Sequence, residues 1–115
     1  MATVTLDFNQ FGSTIDRPED GELCYKMLKE ADPANNDVIV RMQSVVSMTT
    51  SCAKQIFGRI CLEIGEAAFE EHIILDVTDG VYVIIQMGLD EMIENVKLLE
   101  SSIKERTPQE VSHIL

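Results

Sequence analysis

The sequence predicts a small α/β domain in which helices pack on a mixed or mostly parallel sheet. Two short apolar runs, 38–46 and 72–77, have the length and composition of buried strands. Two longer segments, 53–67 and 81–99, instead repeat their apolar residues at three- and four-residue steps, as amphipathic helices do. Because strand and helix patterns alternate, we expect the order β-(β)-α-β-α-β-α with right-handed crossovers.

Composition bounds the size and the expected location. The chain has 115 residues, of which 45% are apolar, and this argues for one domain, 1–106, with one core. Residues 107–115 are expected to be a C-terminal tail, because Thr107-Pro108 should stop the last helix. The sequence has no apolar run of roughly 18 residues and no secretory-signal pattern at its N-terminus. We therefore expect a cytoplasmic protein without a membrane span.

The net charge of −11 disfavours two classes of partner. Nucleic acid requires Lys and Arg to displace its counterions, and an anionic membrane surface repels an acidic protein. A protein partner with a basic face is compatible with this charge. The simplest effect of the charge is to keep a small domain soluble.

The three cysteines fit a reduced, intracellular protein. Cys24, Cys52 and Cys61 are odd in number and lie in predicted helices. They form no Cys-x-x-Cys or Cys/His pattern at metal-ligand spacing, so no metal site is predicted. We expect them to be small core residues.

The N-terminal segment predicts a strand. Residues 2–8 alternate apolar and polar side chains, which indicates a half-buried strand at the edge of the sheet. Residues 9–15 contain Gly12 and Ser13, and the pattern leaves open whether they turn or return as a short second strand.

The first helix has a clear start signal. In Asp16-Arg17-Pro18-Glu19, Asp16 is expected to cap the helix and Pro18 to lie in its first turn. The segment 32–36, with its proline and two asparagines, is expected to end this helix.

The central strand, 38–46, is expected to be buried on both faces because most of its side chains are apolar. It leads through a hydroxyl-rich turn into a helix that we expect to run to about Glu70. A further strand is predicted at 72–77. The last helix is predicted from Val81 to about Lys104, although its first residues form a local β-like run.

No catalytic constellation is found. Asp76 ends a strand, where open α/β sheets often bind ligands, but capping of the next helix by Thr78 or Asp79 explains this segment more simply. His72 has no paired nucleophile, so a surface or hydrogen-bonded role is expected. We therefore predict no catalytic residue, no metal and no cofactor, and a protein that is not an enzyme.

The turn Thr49-Thr50-Ser51 has two interpretations. One is capping, since a hydroxyl oxygen can accept a hydrogen bond from a free N–H group of the first helical turn. The other is a phosphorylation switch, because a phosphate of about −1.5 to −2 charge is favoured by the positive end of the helix dipole. The two interpretations are compatible.

These residues also carry a family resemblance. The strand 38–42 followed by Met48-Thr49-Thr50-Ser51 resembles the anti-sigma factor antagonist (STAS) domains, in which a strand, a turn with two hydroxyls and a helix follow one another. In the anti-sigma antagonists the second hydroxyl is a serine phosphorylated by a partner ATPase. The segment 51–58, which ends in Phe57-Gly58, is similar to the STAS-like domain family of unknown function. The similarity spans roughly 7–93.

The resemblance implies a STAS-like fold and a bacterial regulatory module that binds a protein, with a histidine-kinase-like ATPase as the candidate partner. Ser51 falls on the phosphorylatable position. The residues implied in phosphorylation or partner contact are Ser51, Thr50, Thr49, Lys54, Gln55 and Gly58. The alternative is a small-ligand or nucleotide-binding domain that uses the same helix N-terminus as an anion site. Oligomeric state and the signal sensed stay open.

Overall fold

The computed structural model describes residues 2–114, with the side chains described for 2–99. The chain is a mixed α/β protein. Its strands are β1 (Thr3–Asp7), β2 (Thr14–Ile15), β3 (Asp37–Met42), β4 (Ser47–Met48) and β5 (Ile73–Val77). Its α-helices are α1 (Pro18–Glu30), α2 (Thr50–Ala53), α3 (Arg59–Ile64), α4 (Glu66–His72) and α5 (Asp79–Ile114). A 3₁₀ helix, Phe8–Phe11, follows β1, and a π-helical segment, Lys54–Gly58, joins α2 to α3.

The main sheet is parallel, with strand order β1-β3-β5. The predicted edge position of β1 is confirmed, and so is its alternation of exposed and half-buried residues. The segment left open in the sequence does form a short strand. That strand, β2, pairs in parallel with β4 and makes a separate two-stranded sheet.

Within the part of the chain whose side chains are described, helices cover one face of the main sheet and leave the other partly exposed. On the covered face, Val38, Val40 and Met42 of β3 are fully buried. On the opposite face, Arg41 is exposed and Ile74 of β5 is 50% exposed. The expectation that the central strand is buried on both faces is therefore wrong, because apolar content alone cannot say how many layers of helix lie over a sheet.

The helix after β4 is shorter than the sequence predicts. Residues 50–64 form one helix through α2, the π-helical segment and α3, and this helix ends at Gly65. Gly65 has φ 91°, a conformation that residues with a Cβ rarely adopt. A new helix, α4, follows and ends with His72, so the predictions of a helix continuing to about Glu70 and of His72 in a strand are wrong.

The boundaries of α1 match the sequence except at the cap. Pro18 is the first helical residue, as its fixed φ favours. Arg17 occupies the N-cap position and makes no side-chain capping bond, so the predicted capping by Asp16 is wrong. Asp16 lies one residue too early, because the proline sets the start of the helix.

The prediction that the last segment is a helix is confirmed, including residues 81–85, whose composition is β-like. Val81, Ile85 and Leu89 are buried along one side of α5. The backbone of α5 continues to Ile114, so the prediction that Thr107-Pro108 stops the helix is wrong. A proline removes one helical hydrogen bond and disfavours continuation without forbidding it. The side chains of the predicted tail, 107–115, lie outside the described residues.

Two glycines allow α5 to lie close against the 50–64 helix. A Cβ on Gly88 would stand 3.0 Å from the Cβ of Ala53 and 3.2 Å from the backbone nitrogen of Lys54. A Cβ on Gly58 would stand 2.7 Å from Cγ of Met92. This close crossing fixes the 50–64 helix beneath α5 and thereby fixes the turn from which it starts. Among the described helices, none has the length and apolar character needed to span a membrane.

Candidate functional site

The candidate site begins at the turn between β4 and the 50–64 helix. Thr49 is the N-cap residue, with an extended backbone at φ −77° and ψ 151°. Its Oγ1 accepts a hydrogen bond from the N–H of Cys52 at 3.2 Å, and its carbonyl accepts from the N–H of Ala53 at 3.0 Å. The N–H of Thr49 donates to the carbonyl of Ile15 at 3.1 Å, which ties the turn to β2. The capping interpretation is therefore confirmed for Thr49.

The other two hydroxyls of the turn are placed differently. Ser51 is exposed at the second residue of the helix, and Thr50 is half-buried. Within the described part of the chain, neither side-chain hydroxyl forms a hydrogen bond. Capping therefore occupies the first of the three hydroxyls and leaves Ser51 facing solvent.

The start of α1 lies directly beside this helix N-terminus. The Cys52 thiol lies 3.6 Å from the carbonyl oxygen of Arg17, and Nε2 of Gln55 donates to the carbonyl of Pro18 at 3.0 Å. The Arg17 side chain is exposed and forms no ion pair among the described residues. The backbone of Arg17 therefore lies beside Cys52, the residue that follows Ser51.

A polar cluster holds α1 against the 50–64 helix behind the turn. Nη1 of Arg59 donates to Glu22 at 3.0 Å, and the guanidinium lies 3.6 Å above the centre of the Tyr25 ring. The Tyr25 hydroxyl donates to the carboxylate of Glu63. A hydrogen bond from Gln55, opposed by partial burial and assisted by Arg59, lowers the pKa of the Glu22 carboxyl. The two helices are thus joined by charge-assisted contacts in addition to apolar packing.

Gln55 fits into this cluster because position 21 is glycine. A Cβ on Gly21 would stand 2.8 Å from Cδ of Gln55 and closer still to its Oε1, so a larger residue would displace the side-chain amide of Gln55. Gln55 also donates to Glu22 at 3.3 Å. Its role in the structure is therefore to position α1 relative to the turn.

Lys54 and Gly58 complete the set of sequence-predicted site residues. Nζ of Lys54 lies 2.7 Å from Oε2 of Glu91 on α5, and the lysine is half-buried. Gly58 is buried against Met92 and lies away from the exposed surface. The predicted contact surface is therefore formed by Thr49, Thr50, Ser51 and the outer edges of Lys54 and Gln55.

Two features of the site are missed by sequence reasoning. One is Arg17, which the sequence places only in a helix-start signal and which the fold brings next to Cys52. The other is the π-helical turn at Lys54–Gly58, where hydrogen bonds run from residue i to i+5. π-Turns occur frequently at functional sites. The sequence contains no local signal for the π-helical turn. The turn begins where α5 crosses the helix at Gly88, and this crossing is a tertiary contact that a local pattern does not reveal.

The remaining candidates have structural roles. Asp76 accepts a hydrogen bond from Nε2 of Gln43 at 2.8 Å and lies 3.9 Å from Arg41. Thr78 caps α5 by accepting from the N–H of Val81 at 3.3 Å, as the capping interpretation predicts. Across the described residues, no group of three or more His, Cys, Asp or Glu side chains is placed to hold a metal ion.

His72 has a hydrogen-bonded role, which was one of the two roles expected for it. The residue is 8% exposed, and its Nδ1 lies 3.0 Å from Oδ1 of Asp37. This contact joins the end of α4 to the start of β3, so His72 stabilises the junction between helix and sheet.

The cysteines are core residues, as expected. All three are free and buried. Burial, with smaller effects of Asp20 and Cys52, raises the pKa of the Cys24 thiol to about 12. A thiol that holds its proton this strongly is a poor nucleophile, because the thiolate is the reactive form.

Comparisons with protein-family models, with curated proteins and with solved structures give no match for this chain. The resemblance to the STAS-like family therefore rests on the residues quoted for it and stays a prediction.

Proposed function

We propose that this chain is a STAS-like regulatory module that binds a partner protein through the turn Thr49–Ser51 and the exposed side of the 50–64 helix. The observation that supports this most is the division of roles within the turn. Thr49 supplies the cap, so the helix does not need the hydroxyl of Ser51. Ser51 is exposed and unbonded among the described residues, and is therefore accessible to a kinase or a partner.

The electrostatics of the turn favour a regulatory phosphate on Ser51. A phosphoserine carries about −1.5 to −2 charge, and the positive end of the helix dipole stabilises negative charge in the first turn. The backbone carbonyl of Arg17 lies 3.6 Å from the Cys52 thiol, so an exposed cationic residue begins close to this helix N-terminus. Phosphorylation would then alter the surface seen by a partner without disturbing the core.

The proposed partner is a regulatory protein, and the resemblance points to a histidine-kinase-like ATPase in a partner-switching system. The net charge of −11 is compatible with a partner that carries basic residues around the contact with Ser51 but not at it, since opposite charge accelerates association.

The alternative, an anion or nucleotide site at the same helix N-terminus, has less support. An anion site requires several free N–H groups in the first turn. The N–H groups of Cys52 and Ala53 already donate to Thr49. Protein binding is therefore the proposal that we favour.

The test is an affinity pull-down from native lysate, read by mass spectrometry, with four baits in parallel. The baits are the wild type, Ser51→Ala, Ser51→Asp and Thr3→Asp, the last of which adds the same charge on the exposed edge strand β1. The proposal expects a regulatory protein that is retained by the wild type, Ser51→Ala and Thr3→Asp and is lost with Ser51→Asp.

Two results would count against the proposal. If Ser51→Asp retains the same partner as the wild type, the turn is only a cap and the partner binds elsewhere. If no bait retains a specific protein, protein binding through this turn is abandoned, and nucleotide-dependent thermal stabilisation becomes the measurement for the anion-site alternative.

A further inference from the structure

The second candidate surface lies at the opposite end of the 50–64 helix, along β5. This strand pairs with β3 on one side, and no strand pairs with its other side among the described residues. A free strand edge presents unpaired N–H and C=O groups to which another extended chain can hydrogen-bond. The edge of β5 is therefore open to the addition of a strand.

An apolar groove is lined in part by β5. Its volume is about 690 Å³, and it is bounded by α3, α4, β5 and α5. Its floor is made of apolar side chains that are buried or half-buried, namely Phe69, Ile73, Leu75, Leu89 and Ile93. Since Ile73 and Leu75 belong to β5, alternate side chains of an added strand would point into the groove.

The rim of the groove is acidic. Its carboxylates are Glu66 and Glu70 from α4 and Asp90 and Glu94 from α5, and the one ammonium group among the described lining residues is that of Lys97. Each of these four carboxylates is exposed and forms no ion pair among the described residues. This differs from Glu22 and Glu91, whose charges are matched by Arg59 and Lys54.

The negative potential reaches the inner wall of the groove. Cys61 lines the groove from α3. Burial raises the pKa of its thiol, and the charges of Glu66 and Glu70 raise it further.

We propose that this groove binds an extended segment of a partner protein, with alternating apolar side chains and flanking Lys or Arg residues, as an additional strand beside β5. The free edge supplies backbone hydrogen bonds, the apolar floor selects the inward side chains, and the four rim carboxylates select the basic flanks. Four carboxylates that have no ion-pair partner within residues 2–99 surround an apolar floor, and they favour a basic partner over a second copy of this acidic chain.

This surface is separate from the turn in the proposed function and does not depend on it. Ser51 and Cys61 lie on one helix, at a separation that corresponds to roughly 15 Å along its axis. A variant in one surface is therefore expected to leave binding at the other unchanged, so that the two proposals can fail independently.

The experiment is selection of a random peptide library, displayed on phage, on the purified full chain. Selected peptides are then synthesised and titrated against three proteins: the wild type, the double variant Glu70→Lys/Glu94→Lys and the control Glu71→Lys. Glu71 is an exposed carboxylate of α4 that does not line the groove. Circular dichroism of all three proteins checks that they are folded.

We expect the selected peptides to alternate β-branched or aromatic residues with polar ones and to carry Lys or Arg flanks. The double variant is expected to bind them at least about tenfold more weakly, and the control within about twofold of the wild type, because only the former reverses charges at the rim. Amide hydrogen exchange in β5 is expected to slow when peptide is bound, since an added strand protects its free edge.

Several results would overturn the proposal. They are failure of any peptide to be enriched, enrichment of peptides without basic residues, and equal affinity for the wild type and the double variant. Sedimentation of the wild type as a dimer that Glu70→Lys/Glu94→Lys dissociates would identify a second copy as the occupant, and would equally overturn it.

Discussion

Thr49→Ala is expected to lower the free energy of unfolding by about 1 kcal/mol, the usual cost of removing a side-chain cap. The variant loses the 3.2 Å hydrogen bond from the N–H of Cys52 to Oγ1 and leaves the backbone contact with Ala53 in place. Thr49 is exposed, so water can replace part of the lost bond, and the cost should lie toward the lower end of the range. A change of this size corresponds to roughly 3 to 5 °C in Tm for a domain of this length.

Three further variants make this prediction specific. Thr49→Ser keeps the oxygen that accepts the bond and should restore most of the stability. Ser51→Ala should change stability by less than about 0.5 kcal/mol, because the Ser51 hydroxyl forms no bond in the described part of the chain. Ser51→Asp should be neutral or should stabilise by up to about 0.5 kcal/mol, because it places a negative charge in the first helical turn.

The assay is urea unfolding of all four variants and the wild type, followed by circular dichroism. The reasoning is refuted if Ser51→Ala costs as much as Thr49→Ala, because the two hydroxyls would then share the capping role. It is equally refuted if Thr49→Ala has no effect.

The remaining predictions concern the helix crossing and the buried thiol. Gly88→Leu should destabilise the fold by about 2 to 3 kcal/mol, because a Cβ at this position would lie 3.0 Å from the Cβ of Ala53. Gly80→Ala should stabilise the fold by about 0.5 kcal/mol, because a Cβ there meets no atom within 4 Å. Thermal unfolding of both variants measures the two changes. Burial raises the pKa of the Cys24 thiol in the folded protein to about 12, whereas its ordinary pKa is 9.0. Because the unfolded state then binds fewer protons, the free energy of unfolding should fall as pH rises from 9 toward 12, and Cys24→Ala should flatten this slope in urea titrations. An unchanged slope in that variant would contradict the assigned burial.

The elements with strong periodicity are predictable from the sequence. The alternation in 2–8 predicts a half-buried edge strand, and β1 is one. The helical spacing of apolar residues from Val81 onward predicts a helix, and α5 is one despite the β-like run at its start. Burial of one face of the helix stabilises the fold more than the local β preference of these residues opposes it. Three cysteines without metal spacing correctly predict core residues.

The misses depend on tertiary context or on a single backbone angle. The break at Gly65 is invisible to a pattern of apolar residues, because Gly also occurs inside the continuous helix at Gly58. The open face of the sheet is missed because a strand such as β3 has the same composition whether one or two helix layers cover it. In the site, a cap in the turn was predictable, but the choice of Thr49 over its two neighbours needed the register of the helix.

The α1 side of the site shows the same limit. The packing of α1 on the 50–64 helix brings Arg17 beside Cys52 and brings Glu22 and Tyr25 beside Arg59, although these α1 residues are far from the turn in sequence. No local pattern marks Arg59 as the partner of both Glu22 and Tyr25, because Arg59 lies 37 positions after Glu22 along the chain.

The most direct test of the account is to locate phosphate within residues 42–54, which trypsin releases as one peptide because it cleaves after Arg41 and Lys54. The protein would be recovered from its source cells under several growth conditions, and fragmentation in the mass spectrometer would assign the modified hydroxyl. We expect phosphate on Ser51, with Thr49 unmodified because its oxygen is needed for the cap. Phosphate confined to Thr49, or its absence from the peptide in every condition, would contradict the assignment of Ser51 as the regulatory position.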